Sequence, residues 1–97
     1  MPTSRFALGQ VVATPGALET LRESGQAPAF FLDRHAQRDW GEVCPSDAEL
    51  NDQALINGSR LLSSYRTLLN ERLWIITEAE DDQGHRLATT ILKPDEY

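Results

Sequence analysis

The chain of 97 residues has one cysteine, one methionine and one lysine, and only 7% of it is aromatic. A single cysteine excludes an internal disulfide and any Cys-x-x-Cys metal or redox motif. No stretch approaches the ~20 apolar residues of a membrane span, which predicts no membrane partner. The first residues, Met1-Pro2-Thr3-Ser4-Arg5-Phe6, lack the apolar run of a signal peptide, so a cytoplasmic location is expected. Positive charge is also scarce: nine basic residues face 15 acidic ones, for a net charge of −6. That balance disfavours direct binding to nucleic acid or anionic membrane, both of which need a cationic surface.

Enough apolar sequence remains, 40%, for one small core and a single domain over residues 1–97. Residues 6–13 are apolar and partly β-branched, and read as a strand interrupted by Gly9. Thr14-Pro15 is a helix start and Gly25 a helix stop, with Ala17, Leu18 and Leu21 at helical spacing. A second helix follows Ala27-Pro28 and ends before Trp40-Gly41; Phe31 and His35 share one of its faces. Ser46-Asp47-Ala48-Glu49 has the form of a capping box opening a third helix. Leu50, Ala54 and Leu55 are its expected buried stripe, and Asn57-Gly58 its stop.

Residues 61–68, 73–79 and 87–92 then read as three strands joined by short polar turns, which makes neighbours antiparallel. The expected fold class is α+β: a short N-terminal strand, three short helices, then a three-stranded antiparallel β-meander with the helices packed on one face. The first strand is expected to join a sheet edge.

Candidate chemistry is sparse. His35 lies near Asp33, Asp39 and Cys44, a set that could support general-base or nucleophilic chemistry if the fold closed a cleft around it. The spacing does not demand this, and a structural histidine is the expectation. Cys44 is expected to be a small buried residue. His35 and His85 are too far apart, with no paired ligands, for a zinc site. No cofactor, metal or catalytic residue is therefore assigned. Glu78, Glu80, Asp81 and Asp82 lack the spacing of a calcium loop and read as a solvated hairpin tip.

Trp40 can close the core or serve as an exposed anchor, Tyr65 and Trp74 are expected to pair across adjacent strands, and Tyr97 can be a free tail or a docking segment. Arg60, Arg66, Arg72 and Arg86 are expected to pair with nearby acids; gathered on one face, they could meet phosphate.

Several blocks are distinctive: Phe6-Ala-Leu-Gly-Gln-Val-Val-Ala-Thr-Pro-Gly-Ala-Leu18, His35 through Asp39-Trp40-Gly41, Arg60-Leu-Leu-Ser-Ser-Tyr65, Trp74-Ile-Ile-Thr-Glu-Ala79 and Thr89-Thr-Ile-Leu-Lys-Pro-Asp-Glu-Tyr97. Together they resemble a group of small bacterial "plasmid-related" proteins, some of them labelled type I restriction–modification M subunits. The resemblance implies a small bacterial protein of mobile-element origin and no mechanism. An M subunit needs a glycine-rich cofactor loop and an Asn/Asp-Pro-Pro-aromatic motif; this chain has neither, and is too short for that fold.

The leading expectation is a non-enzymatic module that binds an unidentified protein, using Trp40, Glu80, Asp81, Asp82 and Tyr97. A homodimer through a β edge is compatible with it. The alternatives are an acidic inhibitor or DNA mimic acting on a restriction or defence enzyme, and a small enzyme using His35.

Overall fold

In the computed structural model, which describes residues 6–97, Gly9 adopts the left-handed conformation at φ 65°. The first strand therefore starts later than its apolar pattern suggests, as β1 (Gln10–Ala13). Helix α1 (Pro15–Ser24) has the foreseen ends: the Thr14 hydroxyl accepts the Ala17 N–H, and Gly25 closes it in the left-handed region. Helix α2 (Pro28–Ala36) also starts on a proline, where the missing N–H removes no hydrogen bond.

Helix α3 (Pro45–Asn57) differs from expectation. Pro45 takes the first helical position, which makes Cys44 the cap residue, with no side-chain cap bond. Ser46 falls inside the first turn, so the Ser46–Glu49 capping box does not form. The buried stripe differs too. Asn51 and Ala54 are buried, whereas Leu50 is 61% exposed.

Strands β2 (Leu61–Arg66), β3 (Arg72–Thr77) and β4 (Ala88–Leu92) form the antiparallel meander. β1 adds to it in parallel beside β4, giving a four-stranded mixed sheet in the order β1-β4-β3-β2. The class is α+β, and the sheet is open. Its β2 edge is covered. Gly41 bridges Ser64, and the Asn51 carboxamide both accepts the Leu62 N–H (3.0 Å) and donates to the Leu62 carbonyl (2.7 Å). The β1 edge has no neighbouring strand among the described residues.

Side chains alternate between the sheet faces. Tyr65, Leu73, Ile75 and Ile91 meet Ala17 and Leu21 of α1 and Phe31 of α2 in the main core. A second cluster joins Leu61 to Trp40 and Ala54. The opposite face presents Leu62, Trp74, Ile76 and Thr90, all half-buried and absent from both clusters. Tyr65 is opposite Leu73, and Trp74 is opposite Ser64. The expected Tyr65–Trp74 pair is thus replaced by residues on opposite faces. A closing 3₁₀ turn (Pro94–Glu96) brings the Tyr97 ring against Trp74, at 5.8 Å between centroids.

Candidate functional site

His35 is fully buried, and both of its ring nitrogens are occupied. Its Nδ1 meets Ser63 Oγ at 2.5 Å and its Nε2 meets Thr77 Oγ1 at 2.8 Å. The directions of these bonds follow from the far end of the chain of contacts. A carbonyl only accepts, so Thr89 Oγ1 donates to the Leu8 carbonyl (2.7 Å). Having spent its proton, Thr89 accepts from Thr77 (2.8 Å). Thr77 must then accept from His35 Nε2–H, which leaves Nδ1 to accept from Ser63. The network assigns a neutral imidazole protonated on Nε2. Burial, then the nearby Arg86 charge, push its pKa down to about 4.

Neither ring nitrogen bonds to Asp33, Asp39 or Cys44, and Cys44 is exposed rather than buried. His35 is the structural histidine expected from the sequence, part of a polar seam through the core.

Trp40 is also a core residue, at 6% exposure. Its indole N–H donates to Asp52 (3.1 Å), and its ring packs against Phe6 and His35. It is unavailable as the exposed anchor considered from sequence. Asp39 builds the adjoining corner. Its carboxylate accepts from Arg34 (2.7 Å) and the Gly41 N–H (3.2 Å), and its carbonyl accepts the Tyr65 hydroxyl. Arg34 is the main cause holding the Asp39 carboxyl below its ordinary pKa.

The acidic hairpin tip divides into separate roles. Asp81 accepts the N–H groups of Gln83 and His85, which lower its pKa. Glu80 approaches Arg86 at 3.9 Å, and Asp82 is exposed. Glu19, Asp39, Glu42 and Asp52 are likewise each paired with an arginine. Five of the carboxylates, Glu19, Asp39, Glu42, Asp52 and Glu80, thus lie beside an arginine. Among the described residues no group of three or more His, Cys, Asp or Glu could hold a metal ion.

Arg86 was missed by sequence reading. It is 7% exposed and donates to the carbonyls of Ser59 (2.7 Å), Glu78 (3.0 Å) and Ala54 (2.9 Å). The Ala54 carbonyl lies in the last turn of α3, where a cation is favoured by the helix dipole. Arg86 meets the expected acid, Glu80, at 3.9 Å, and in addition ties α3 to the β3–β4 hairpin through these carbonyls. A cavity of about 400 Å³ beside it is lined by Phe6, Leu55, Glu80 and His85.

The sheet face opposite α1 and α2 carries Leu62, Trp74, Ile76 and Thr90, with α3 beside β2 and the closing turn against Trp74. Two adjoining hollows, of about 300 and 240 Å³, share Asp47 and Leu62. They lie along β2, between the first half of α3 and Trp74. Arg60 lines one hollow and Arg72 the other. The Arg60 guanidinium donates to the Tyr97 hydroxyl (2.6 Å), and Tyr97 is 71% exposed. Tyr97 is therefore docked on the sheet by its ring yet open to solvent.

Comparison of the chain with protein-family models, curated proteins and solved structures finds no match.

Proposed function

We propose that the protein is a non-enzymatic interaction module that binds another protein through the helix-free face of its sheet. The observation that carries this reading is Leu62, Trp74, Ile76 and Thr90 forming a half-buried, largely apolar patch outside both core clusters, flanked by α3 beside Leu62 and by the closing turn against Trp74. Apolar sheet surface left facing water gains free energy when a partner covers it. Tyr97 extends the row with an aromatic side chain, a residue type enriched in interface hot spots. No helix among the described residues is long and apolar enough to cross a membrane. The resemblance to plasmid-related bacterial proteins fits an accessory role on a mobile element.

The same reading admits a homodimer. β1 is the edge without a neighbouring strand, and its sequence, Gln10-Val11-Val12-Ala13, carries none of the charges or prolines that blunt edges.

The test is affinity capture from the source cell with wild type, Ile76→Glu and Glu23→Lys. Glu23 lies on α1, away from the row. A partner retained by Glu23→Lys and lost with Ile76→Glu supports the proposal. Equal capture by all three, with Ile76→Glu still folded by circular dichroism, contradicts it.

A further inference from the structure

We infer that two copies of the chain join β1 to β1, antiparallel, about a two-fold axis at Val12, and so merge two four-stranded sheets into one. This pairing goes beyond the interaction-module reading, which stands without it.

The free backbone groups of β1 follow from its parallel pairing with β4. The Gln10 N–H donates to the Leu87 carbonyl (2.9 Å) and the Thr14 N–H to the Ile91 carbonyl (3.0 Å). Backbone groups turn to alternate sides along a strand, so those of Val12, midway, also face β4. The N–H and carbonyl of Val11 and of Ala13 therefore face outward, where no strand lies among the described residues.

These four groups complement themselves. Residues that face each other as a hydrogen-bonded antiparallel pair exchange both bonds. With the axis at Val12, Val11 of each copy faces Ala13 of the other, and every outward group finds a partner. An axis at Val11 would set Ala13 against Gly9, which is left-handed at φ 65° and lies outside the strand. An axis at Ala13 would set Val11 against Pro15, which has no N–H to give.

Other features of the fold select a second copy as the occupant. The β2 edge is closed by Gly41 and Asn51, so the edge that β1 meets in another copy is β1. A like-to-like contact of this kind closes as a dimer and does not propagate. β1 carries no charge, so two chains of net charge −6 meet there without like charges face to face. Val11 and Val12, 43% and 41% exposed, lose solvent contact in the pairing. The register also sets Leu62, Ile76, Thr90 and Val12 side by side across the four strands. The axis at Val12 joins this row to its copy, so one apolar surface crosses both sheets.

The test reads mass and cross-link position in the full chain, with the exposed Cys44 replaced by Cys44→Ser. Sedimentation equilibrium is expected to show a monomer–dimer equilibrium. At the axis the two Val12 residues form a non-hydrogen-bonded pair with Cα atoms ~4.5 Å apart, within disulfide reach. Val12→Cys is therefore expected to give a disulfide dimer under mild air oxidation. The two copies of position 11 are offset by two residues, about 7 Å along the strands, and Val11→Cys is expected to cross-link far more slowly. Val12→Lys sets two cations face to face and is expected to weaken the dimer about fivefold, with its fold unchanged by circular dichroism. A chain that stays monomeric at millimolar concentration would overturn the inference. So would a dimer that Val12→Lys leaves intact, or faster cross-linking through position 11 than through position 12. Any of these results, with partner capture still dependent on Ile76, would overturn this inference alone. Loss of that dependence would overturn the interaction-module reading, whatever the mass.

Discussion

The hydrogen-bond directions at His35 fix more than its tautomer. The folded protein holds the imidazole neutral down to about pH 4, whereas the unfolded chain takes up the proton near pH 6.5. Its stabilising effect is complete above pH 6.5 and is lost progressively as pH falls toward 4, since the unfolded state then binds more protons. The loss across that window is about 3 kcal/mol. Urea unfolding at pH 7 and pH 4 should show it, and His35→Gln should flatten the slope between them. Arg86 offers a second test at this scale. Arg86→Met leaves the carbonyls of Ser59 and Glu78 without this donor, and should cost roughly 2–4 kcal/mol in denaturant unfolding.

A structural His35 was the expectation, but its partners, and the carbonyl-binding role of Arg86, were not legible in the sequence. A histidine near Asp33 and Asp39 reads as potential chemistry, because linear proximity does not show that Ser63, Thr77 and Thr89 come together from three strands. Arg86 reads as a surface charge, because the carbonyls that hold it belong to backbone at positions 54, 59 and 78.

At the scale of elements, local signals succeeded where backbone chemistry alone decides. Thr14, Pro15 and Gly25 bound α1 as expected. They failed where two signals compete. Pro45, fitted to the first helical position, overrides Ser46 as the start of α3. Asn51 lies on the buried face because Leu62, on the sheet edge, needs a hydrogen-bond partner for its backbone; hydrophobicity has no signal for that. The Tyr65–Trp74 pairing failed by one residue of register, which is enough to turn a side chain to the other face. Asn70, in the left-handed conformation at φ 65°, helps set that register within the turn from Thr67 to Glu71.

The closing turn also acts on α1. Glu96 accepts from the Thr14 hydroxyl (2.5 Å), the Gly16 N–H (3.1 Å) and the Lys93 N–H (2.8 Å). These bonds, the Thr14 hydroxyl first, hold its carboxyl below the ordinary range. Its contribution is therefore present above the ordinary glutamate pKa of about 4.5 and fades as pH falls below it. A Cβ at Gly16 would stand 2.5 Å from Glu96 Oε2. Gly16→Ala should thus displace the flexible Glu96 carboxylate and weaken the contact of Tyr97 with Trp74, read by NMR of the Trp74 indole. Thr14→Ala removes the helix cap as well, and the cap alone is worth about 1 kcal/mol. Asn51→Ala should cost about 1–3 kcal/mol, because the Leu62 backbone loses both partners.

For the whole molecule, the α+β class and the meander followed from strand patterning and short turns. The sidedness of the sheet did not, because it depends on register and on where α1 and α2 settle. That sidedness underlies the proposed function: one face supplies the core, and the other leaves Leu62, Trp74 and Ile76 half-buried. The open β1 edge predicts a concentration-dependent dimer by light scattering, abolished by Val12→Pro. A mass that stays monomeric at high concentration would exclude that mode of assembly and leave the sheet face unaffected.

The most direct test places a photo-cross-linking residue, in turn, at Ile76 on the helix-free face, Glu23 on α1 and Ile56 on α3. Each variant is irradiated in the cell. The account predicts a discrete adduct with another protein from position 76 and none from positions 23 or 56. Adducts from the helical positions alone, or from no position, would contradict it.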